Sequence, residues 1–159
     1  MRVPGVGAPP RVLAAALRAL AQDGMAIEAV SEVIASAPMG PSSRRFANAA
    51  AVIASDQGPR AVLARLQHIE NAFGRRRRGQ RWRARPLDLD IVLWSGGMWG
   101  DGSLTIPHPA MRARDFVLAP AAAIAPRWRD PVTGLTLRQL RVRLTRPRRV
   151  PSERAWWGP

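Results

Sequence analysis

The segment from Gly58 to Gly74, GPRAVLARLQHIENAFG, constrains the fold of this chain more than any other part of the sequence. Pro59 suits the first turn of a helix, and Gly74 suits its end. The apolar residues fall three or four positions apart on one side of that helix, at Val62, Leu63, Leu66, Ile69 and Phe73. Because a helix with one apolar side buries that side, we expect this helix to cover a sheet.

The other segments predict the elements that surround this helix. An earlier helix begins at Pro9 or Pro10 in PPRVLAAALRAL and ends at Gly24. Three strands are predicted in MAIEAVSEVIASA, RFANAAAVIAS and PLDLDIVLW, and a further helix near FVLAPAAAIA. The order is helix, strand, strand, helix, strand, helix. With one strand ahead of it, this order is β-α-β-β-α-β, so we predict an α+β, ferredoxin-like sandwich with added C-terminal helices.

Length and composition predict one folded domain over residues 1–159. The chain is 47% hydrophobic and 23% charged, which separates it from sequences that stay disordered. We expect the basic tail, residues 147–159, to be poorly ordered. The chain contains no cysteine, which excludes disulfides, thiolate zinc sites and a cysteine nucleophile. It has no apolar run of membrane-spanning length and no secretory leader pattern, so we expect a cytoplasmic protein.

The chain has 25 basic residues, all of them arginine, against 11 acidic residues, which gives a net charge of +14. Arginine binds phosphate oxygens with a planar fork of donors, so nucleic acid, nucleotides and acidic membranes are all candidate partners. A GC-rich genome would produce the same bias without any partner. Charge by itself therefore leaves the function open.

Asp88 and Asp90 lie two positions apart in the predicted strand of residues 86–94. Successive side chains of a strand alternate faces, so both carboxylates point the same way, with their Cα atoms about 7 Å apart. Leu87, Leu89 and Ile91 occupy the opposite face. Such a pair can hold Mg²⁺, but an isolated D-x-D is more often a surface or arginine-paired site.

The segment just before this pair, GRRRRGQRWRAR (residues 74–85), contains seven arginines. Cations that grip phosphate and carboxylates that hold Mg²⁺ therefore lie within one loop and strand. Phosphoryl transfer uses both groups, because its catalysis depends on positioning and on electrostatic stabilisation.

Two long motifs resemble those of the 6-hydroxymethyl-7,8-dihydropterin pyrophosphokinase family. GRRRRGQRWRARPLDLDIVLW matches its pattern G-R-x-R-x-x-x-R-W-x-x-R-x-(I/L)-D-L-D-(I/L). LTIPHPAMRARDFVLAPAAAIAP matches the downstream pattern (L/I)-x-x-P-H-x-x-(M/L)-x-x-R-x-F-(V/M)-L, and SAPMGPSSRRFANAAAVI resembles the family's pterin-binding turn and strand. The likeness covers roughly residues 11–140.

The resemblance implies transfer of pyrophosphate from ATP to the pterin hydroxymethyl group, with release of AMP. It places two Mg²⁺ ions on Asp88 and Asp90, and it gives catalytic roles to Arg75 and Arg85 as well. The implied ATP-binding residues are Gln67, Glu70, Arg77, Arg81, Ile91, Thr105, His108 and Arg114. The implied pterin-binding residues are Ser36, Ala37, Met39, Phe46, Asn48, Trp82 and Phe116.

Several of these residues have a structural alternative. His108 could cap a turn or face solvent, and Phe46, Phe116 and Trp82 could pack in the core. Phe46 stands where the family often has tyrosine, so ring stacking survives and a hydroxyl contact is lost. Ala37 loosens the family's Thr-Pro turn.

The resemblance departs from the family at the N-terminus. Family members begin with a strand ending in G-S-N before the first helix, whereas this sequence has MRVPGVGAPP. In a ferredoxin-like sheet that strand is internal, so its absence predicts unpaired backbone on both neighbours and marginal stability. A start codon assigned too far downstream, or a disturbed reading frame, would explain this, and we favour it over a shortened, inactive homologue because the distal motifs are intact.

We accordingly expect a monomer whose partners are ATP and a dihydropterin, with no membrane partner. A basic nucleic-acid-binding module is the competing class. It would show affinity that falls steeply with salt. Nucleic acid is not expected as the main partner, because no DNA- or RNA-binding motif occurs in the sequence.

Overall fold

A computed structural model describes residues 8–36, 46–74 and 86–147. Helices and short antiparallel strands alternate along these residues, which confirms the predicted α+β class. The elements are α1 Pro9–Gln22, β1 Ala26–Val30, β2 Ile34–Ser36, β3 Phe46–Asn48, β4 Ala51–Ala54, α2 Pro59–Ala72, β5 Trp99–Gly100, β6 Thr105–Ile106, a 3₁₀ turn Met111–Ala113, α3 Asp115–Ile124 and α4 Leu137–Thr145.

The first two helices begin and end where the sequence predicts. Each starts on a proline, Pro9 in α1 and Pro59 in α2. Proline lacks a backbone N–H, and the first residues of a helix do not use theirs for helical hydrogen bonds. Each is followed by a glycine with positive φ, +84° at Gly24 and +93° at Gly74. A residue with a side chain adopts this left-handed conformation only with strain, so these glycines terminate the helices.

The two strands predicted on either side of residue 40 are each interrupted in the middle. β1 pairs with β4 and β2 pairs with β3, both antiparallel. At the interruption, the Ser31 N–H donates to the Ala50 carbonyl, and the Ala50 N–H donates to Ser31 Oγ, each at 2.9 Å. The result is one broken hairpin rather than two continuous strands.

The structure differs from the prediction at residues 87–93, which we call the aspartate segment. From Leu87 to Ile91 its side chains alternate between more and less buried, as in a strand, yet the segment carries no strand ladder with any other described residue. The described chain places no strand beside it, so its backbone bonds elsewhere. The Leu89 N–H donates to a side chain of α2, and the Val92 carbonyl accepts from the His108 N–H at 3.0 Å.

Two apolar clusters lie on opposite faces of the strands. The first joins α1 and α2, with Leu87 buried in it and Ile27, Ile53 and Ile91 packed against it. The second joins α3, α4 and Met111, with Val52 and Val92 among the side chains packed against it. Neighbouring residues such as Val52 and Ile53 thus enter different clusters, because strand side chains alternate.

The C-terminal part consists of the helices α3 and α4, as predicted in general terms. A capping box begins α4, in which Thr136 Oγ1 accepts from the Gln139 N–H and Gln139 Oε1 accepts from the Thr136 N–H. Residues 148–159, where we expected poor order, lie outside the described residues. Within the described residues, no helix combines the length and apolar character that crossing a membrane requires.

Candidate active site

The aspartate segment separates its acidic and apolar side chains as predicted. Leu87 is 4% exposed, and Leu89 and Ile91 pack beside it against the first apolar cluster. Asp88 and Asp90 lie on the exposed face. The packing of the three apolar residues therefore directs both carboxylates outward.

Glu70 supports this segment from α2. Its carboxylate is 2% exposed, and its Oε1 accepts a hydrogen bond of 2.9 Å from the Leu89 N–H, midway between the two aspartates. A backbone N–H that lacks a ladder partner needs such an acceptor. Glu70 was expected beside ATP, together with Gln67. The hydrogen bond to Leu89 does not test that role, which stays a prediction for Glu70 and for Gln67, half-buried one turn earlier on the same helix.

A cleft of about 380 Å³ opens beside Asp90. Its lining includes Leu63 of α2 and Ile91 together with Thr105, His108 and the turn that precedes β6. The full lining is Leu63, Asp90, Ile91, Asp101, Gly102, Ser103, Leu104, Thr105, His108 and Pro109. His108 Nε2 lies 3.8 Å from Asp90 Oδ2. Four predicted residues, Asp90, Ile91, Thr105 and His108, are thus brought together.

Asp101 shapes the turn that lines this cleft before β6. Its Oδ1 accepts hydrogen bonds from Ser103 Oγ and the Ser103 N–H, both at 2.7 Å, and from the Leu104 N–H at 3.0 Å. Its Oδ2 accepts from Trp99 Nε1 at 3.0 Å. The Ser103 hydroxyl, the Ser103 N–H and the Trp99 indole hold the pKa of Asp101 far below its usual range. Sequence reasoning missed this residue, although Asp-Gly-Ser is a common turn sequence.

The predicted pterin residues of the hairpin lie together. Asn48 Nδ2 donates to Ser36 Oγ at 2.8 Å, and Phe46 stands opposite Ser36 in the β2–β3 register, 41% exposed. Phe116 belongs to α3, which contacts both β2 and β3. The guanidinium of Arg114 lies 5.7 Å from the centre of the Phe116 ring.

The other predicted site residues fall on parts of the chain that lie outside the described residues. They are Ala37, Met39, Arg75, Arg77, Arg81, Trp82 and Arg85. Their expected roles stay predictions.

The donor set beside the cleft fits magnesium better than a metal that needs a complete protein cage. Within the described ranges, no three His, Asp or Glu side chains converge as a metal site. Asp88 and Asp90 offer two exposed carboxylates on one face. Mg²⁺ usually binds through one or two carboxylates, with substrate phosphates and water completing its octahedron.

Residues 5–126 match the model of the 7,8-dihydro-6-hydroxymethylpterin-pyrophosphokinase (HPPK) family. This range includes both motifs and every element from α1 to α3. The chain belongs to the HPPK family. The resemblance recognised from the arginine, D-L-D and P-H motifs is therefore confirmed.

Several curated HPPK proteins are similar to this chain, each named 2-amino-4-hydroxy-6-hydroxymethyldihydropteridine pyrophosphokinase. The protein of Synechocystis sp. is 38% identical over 117 residues, covering 74% of this chain and 60% of the relative. That of Haemophilus influenzae is 40% identical over 119 residues, covering 74% of each. That of Pseudomonas aeruginosa is 42% identical over 104 residues, covering 65% of this chain and 64% of the relative. The matched part thus spans about 60% of the Synechocystis protein's length.

Proposed function

We propose that this HPPK-family chain transfers pyrophosphate from ATP to 6-hydroxymethyl-7,8-dihydropterin, giving AMP and the pterin diphosphate. The observation that carries the proposal is the position of Asp90 at the mouth of a cleft, with Asp88 on the same exposed face and His108 within 3.8 Å. The pyrophosphokinase names of relatives at 38% to 42% identity support the same reaction.

The cleft is the proposed nucleotide site. Leu63 and Ile91 supply apolar surface for a flat base, while Thr105 and His108 supply polar atoms in the same cleft. The triphosphate would extend from this cleft across the aspartates. Arg114 contributes a cation near that path, and we propose the same for Arg77 and Arg81.

Asp88 and Asp90 are the proposed magnesium ligands, and two ions are proposed. When bound, Mg²⁺ neutralises phosphate charge and lowers the barrier for attack by the pterin hydroxyl. The two carboxylates fix the position of that charge, because the packing of Leu87 and Leu89 holds the backbone beneath them. Arg75 and Arg85 are proposed to stabilise the charge that develops on the transferred group.

The pterin is proposed to bind against the β2–β3 hairpin and α3. Asn48 carries both a donor and an acceptor for the pteridine edge, and its link to Ser36 fixes the orientation of its amide. Phe46 and Phe116 offer two aromatic faces for the ring. Trp82, Ala37 and Met39 complete the proposed pterin set.

Formation of AMP from Mg·ATP and the dihydropterin tests the proposal directly. We expect the double variant Asp88→Ala, Asp90→Ala to form AMP at least about 10³-fold more slowly, because it loses the electrostatic core of phosphoryl transfer. Both side chains are exposed, so the variant should keep the native circular dichroism spectrum and melting temperature.

A matched control removes two exposed carboxylates that do not line the cleft. Glu28→Ala combined with Asp56→Ala makes the same change in net charge. We expect this control to keep the rate of the unsubstituted chain within about twofold. Equal losses in the two double variants, or AMP formation that survives without Asp88 and Asp90, would contradict the proposal.

A further inference from the structure

A buried carboxylate lies outside the cleft, at Asp130, four residues beyond the range matched by the HPPK family model. Its side chain is 0% exposed. Its two oxygens accept four hydrogen bonds. The donors are Arg112 Nε at 2.7 Å, Arg112 Nη2 at 2.6 Å, the Val132 N–H at 3.1 Å and Thr133 Oγ1 at 2.6 Å.

The backbone around Asp130 forms a tight turn that holds this carboxylate in place. The Asp130 N–H donates to the Leu135 carbonyl at 2.9 Å, and the Gly134 N–H donates to the Asp130 carbonyl at 2.8 Å. The turn leads directly into the capped start of α4, where the Leu137 N–H donates to the Trp128 carbonyl at 2.9 Å. Asp130 is therefore fixed to the second apolar cluster through Leu137.

The partner of Asp130 lies between two residues of the proposed nucleotide site. Arg112 is the central residue of the 3₁₀ turn Met111–Ala113. The Met111 N–H donates to the His108 carbonyl at 3.0 Å, and the Arg114 N–H donates to the Met111 carbonyl at 3.3 Å. One short run of backbone thus carries His108, the arginine bound by Asp130, and Arg114.

The guanidinium of Arg112 is committed to Asp130. Two parallel N–H···O bonds use the planar fork that would otherwise bind a phosphate, and they fix its orientation as well as its position. Such geometry distinguishes Arg112 from Arg114, whose guanidinium lies over the Phe116 ring, 5.7 Å from its centre.

We propose that the Arg112–Asp130 pair positions His108 and Arg114 for nucleotide binding by fixing the 3₁₀ turn to the base of α4. Both members of the pair are positioning residues and touch no substrate. This inference rests on the proposed function for the identity of the nucleotide, and the turn it fixes can be observed without any nucleotide.

The chain has two histidines, His68 and His108, and their NMR signals can report whether the 3₁₀ turn is held in place. Each Cε1–H gives a separate proton resonance, and His68 lies exposed on α2, away from the pair. Asp130→Asn keeps the shape of the side chain but points an amide nitrogen at a donor of Arg112. In the folded variant we expect the His108 resonance to shift and the His68 resonance to stay where it is.

Affinity for Mg·ATP, measured by titration calorimetry, provides the second readout. We expect Asp130→Asn to weaken binding by at least about tenfold, because His108 and Arg114 lose their fixed positions together. Arg112→Lys retains the charge and one hydrogen bond but loses the fork, so it should shift both readouts in the same direction by less. If Asp130→Asn does not fold, Arg112→Lys carries the test.

Asp23→Asn is the matched control. It removes the carboxylate of an ion pair, with Arg65 Nη1 at 3.2 Å from Asp23 Oδ2, in a partly exposed place between α1 and α2. Both readouts should match the unsubstituted chain. A folded Asp130→Asn or Arg112→Lys variant with an unmoved His108 resonance and unchanged Mg·ATP affinity would overturn the positioning role, even if its stability fell. Failure of the unsubstituted chain to bind Mg·ATP would remove the proposed function instead, and the His108 resonance would still decide the positioning role.

Discussion

The aspartate segment and the turn at Asp130 place carboxylates of one chain in opposite environments. Asp90 is about half exposed and stands at the mouth of a cleft, 3.8 Å from His108. Asp130 is fully buried, and four hydrogen bonds satisfy its oxygens. Both regions follow arginine-rich sequence, so nearby positive charge does not explain the difference.

The difference follows from what each backbone offers its side chain. The aspartate segment has no ladder partner among the described residues, and its apolar side chains hold it in place from one face. The Asp130 turn is closed by its own backbone bonds and by the capped helix α4. A buried charge is stable only when its hydrogen bonds are complete, whereas a cation in solvent can reach exposed carboxylates. The aspartate segment therefore suits binding of a cation, and the Asp130 turn suits holding the backbone in place.

The largest expected effect is the change in stability of the Asp130 turn as the pH is lowered. The bidentate bond from Arg112 and those from Thr133 and the Val132 N–H lower the pKa of Asp130 from 3.8 to about 2. A depressed folded pKa adds stability that is complete above about pH 4 and disappears as the pH falls towards 2. The shift corresponds to about 2 kcal/mol. Urea unfolding of the native chain and of Asp130→Asn should therefore differ by about this amount at pH 7 and converge near pH 2. If the difference in the free energy of unfolding between the two proteins did not change with pH, the buried carboxylate of Asp130 would not contribute stability through its charge.

Glu70 tests whether the aspartate segment depends on a single side-chain acceptor. Glu70→Leu leaves the Leu89 N–H without the oxygen it now contacts, and an unsatisfied buried donor costs about 1–3 kcal/mol. We expect hydrogen exchange at Leu89 to accelerate, while exchange in α3 at Leu118 changes only with global stability. Glu70→Gln retains an acceptor oxygen and should keep Leu89 protected. Equal acceleration at both amides would mean that the segment has no local dependence on Glu70.

Asp101 tests how far the cleft depends on its own turn. Asp101→Asn keeps one acceptor oxygen and loses the charge that attracts four donors. We expect the KM for ATP to rise roughly threefold to tenfold with kcat little changed, since Asp101 lines the proposed nucleotide cleft and is not among the residues proposed to act on the transferred group. Steady-state kinetics with varied ATP measures this. A loss confined to kcat would instead place Asp101 in the chemical step.

The smallest effect is expected at an exposed ion pair between α3 and α4. Arg141 Nε lies 3.4 Å from Asp115 Oδ1, and both side chains are about half exposed. Arg141→Gln should change the free energy of unfolding by no more than about 0.5 kcal/mol, because solvent screens such pairs. Urea unfolding of Arg141→Gln and of Asp130→Asn would show whether the buried arginine–aspartate pair contributes more to the free energy of unfolding than the exposed pair does. Similar losses at both would show that it does not.

Much of the site could be predicted because it depends on local periodicity and on motifs. The face shared by Asp88 and Asp90 follows from alternation along an extended chain, and the ends of α1 and α2 follow from Pro9, Pro59 and the two glycines. The family itself was recognised from residues 74–91 and 104–118. The spacing of Gln67 and Glu70 predicts that they share a helix face. It does not predict whether that face contacts solvent, a ligand or another part of the protein.

The sequence by itself determined the family, the helices, and the side of the chain on which the two aspartates stand. Those features depend on residues within about one helical turn or a few strand positions of each other. Tertiary structure alone decided that Glu70 contacts Leu89, 19 residues away, and that Asp130 contacts Arg112, 18 residues away. It also placed Asp101 on the wall of the cleft. Contacts at such separations depend on how whole elements pack against each other, and no local pattern in this chain specifies them.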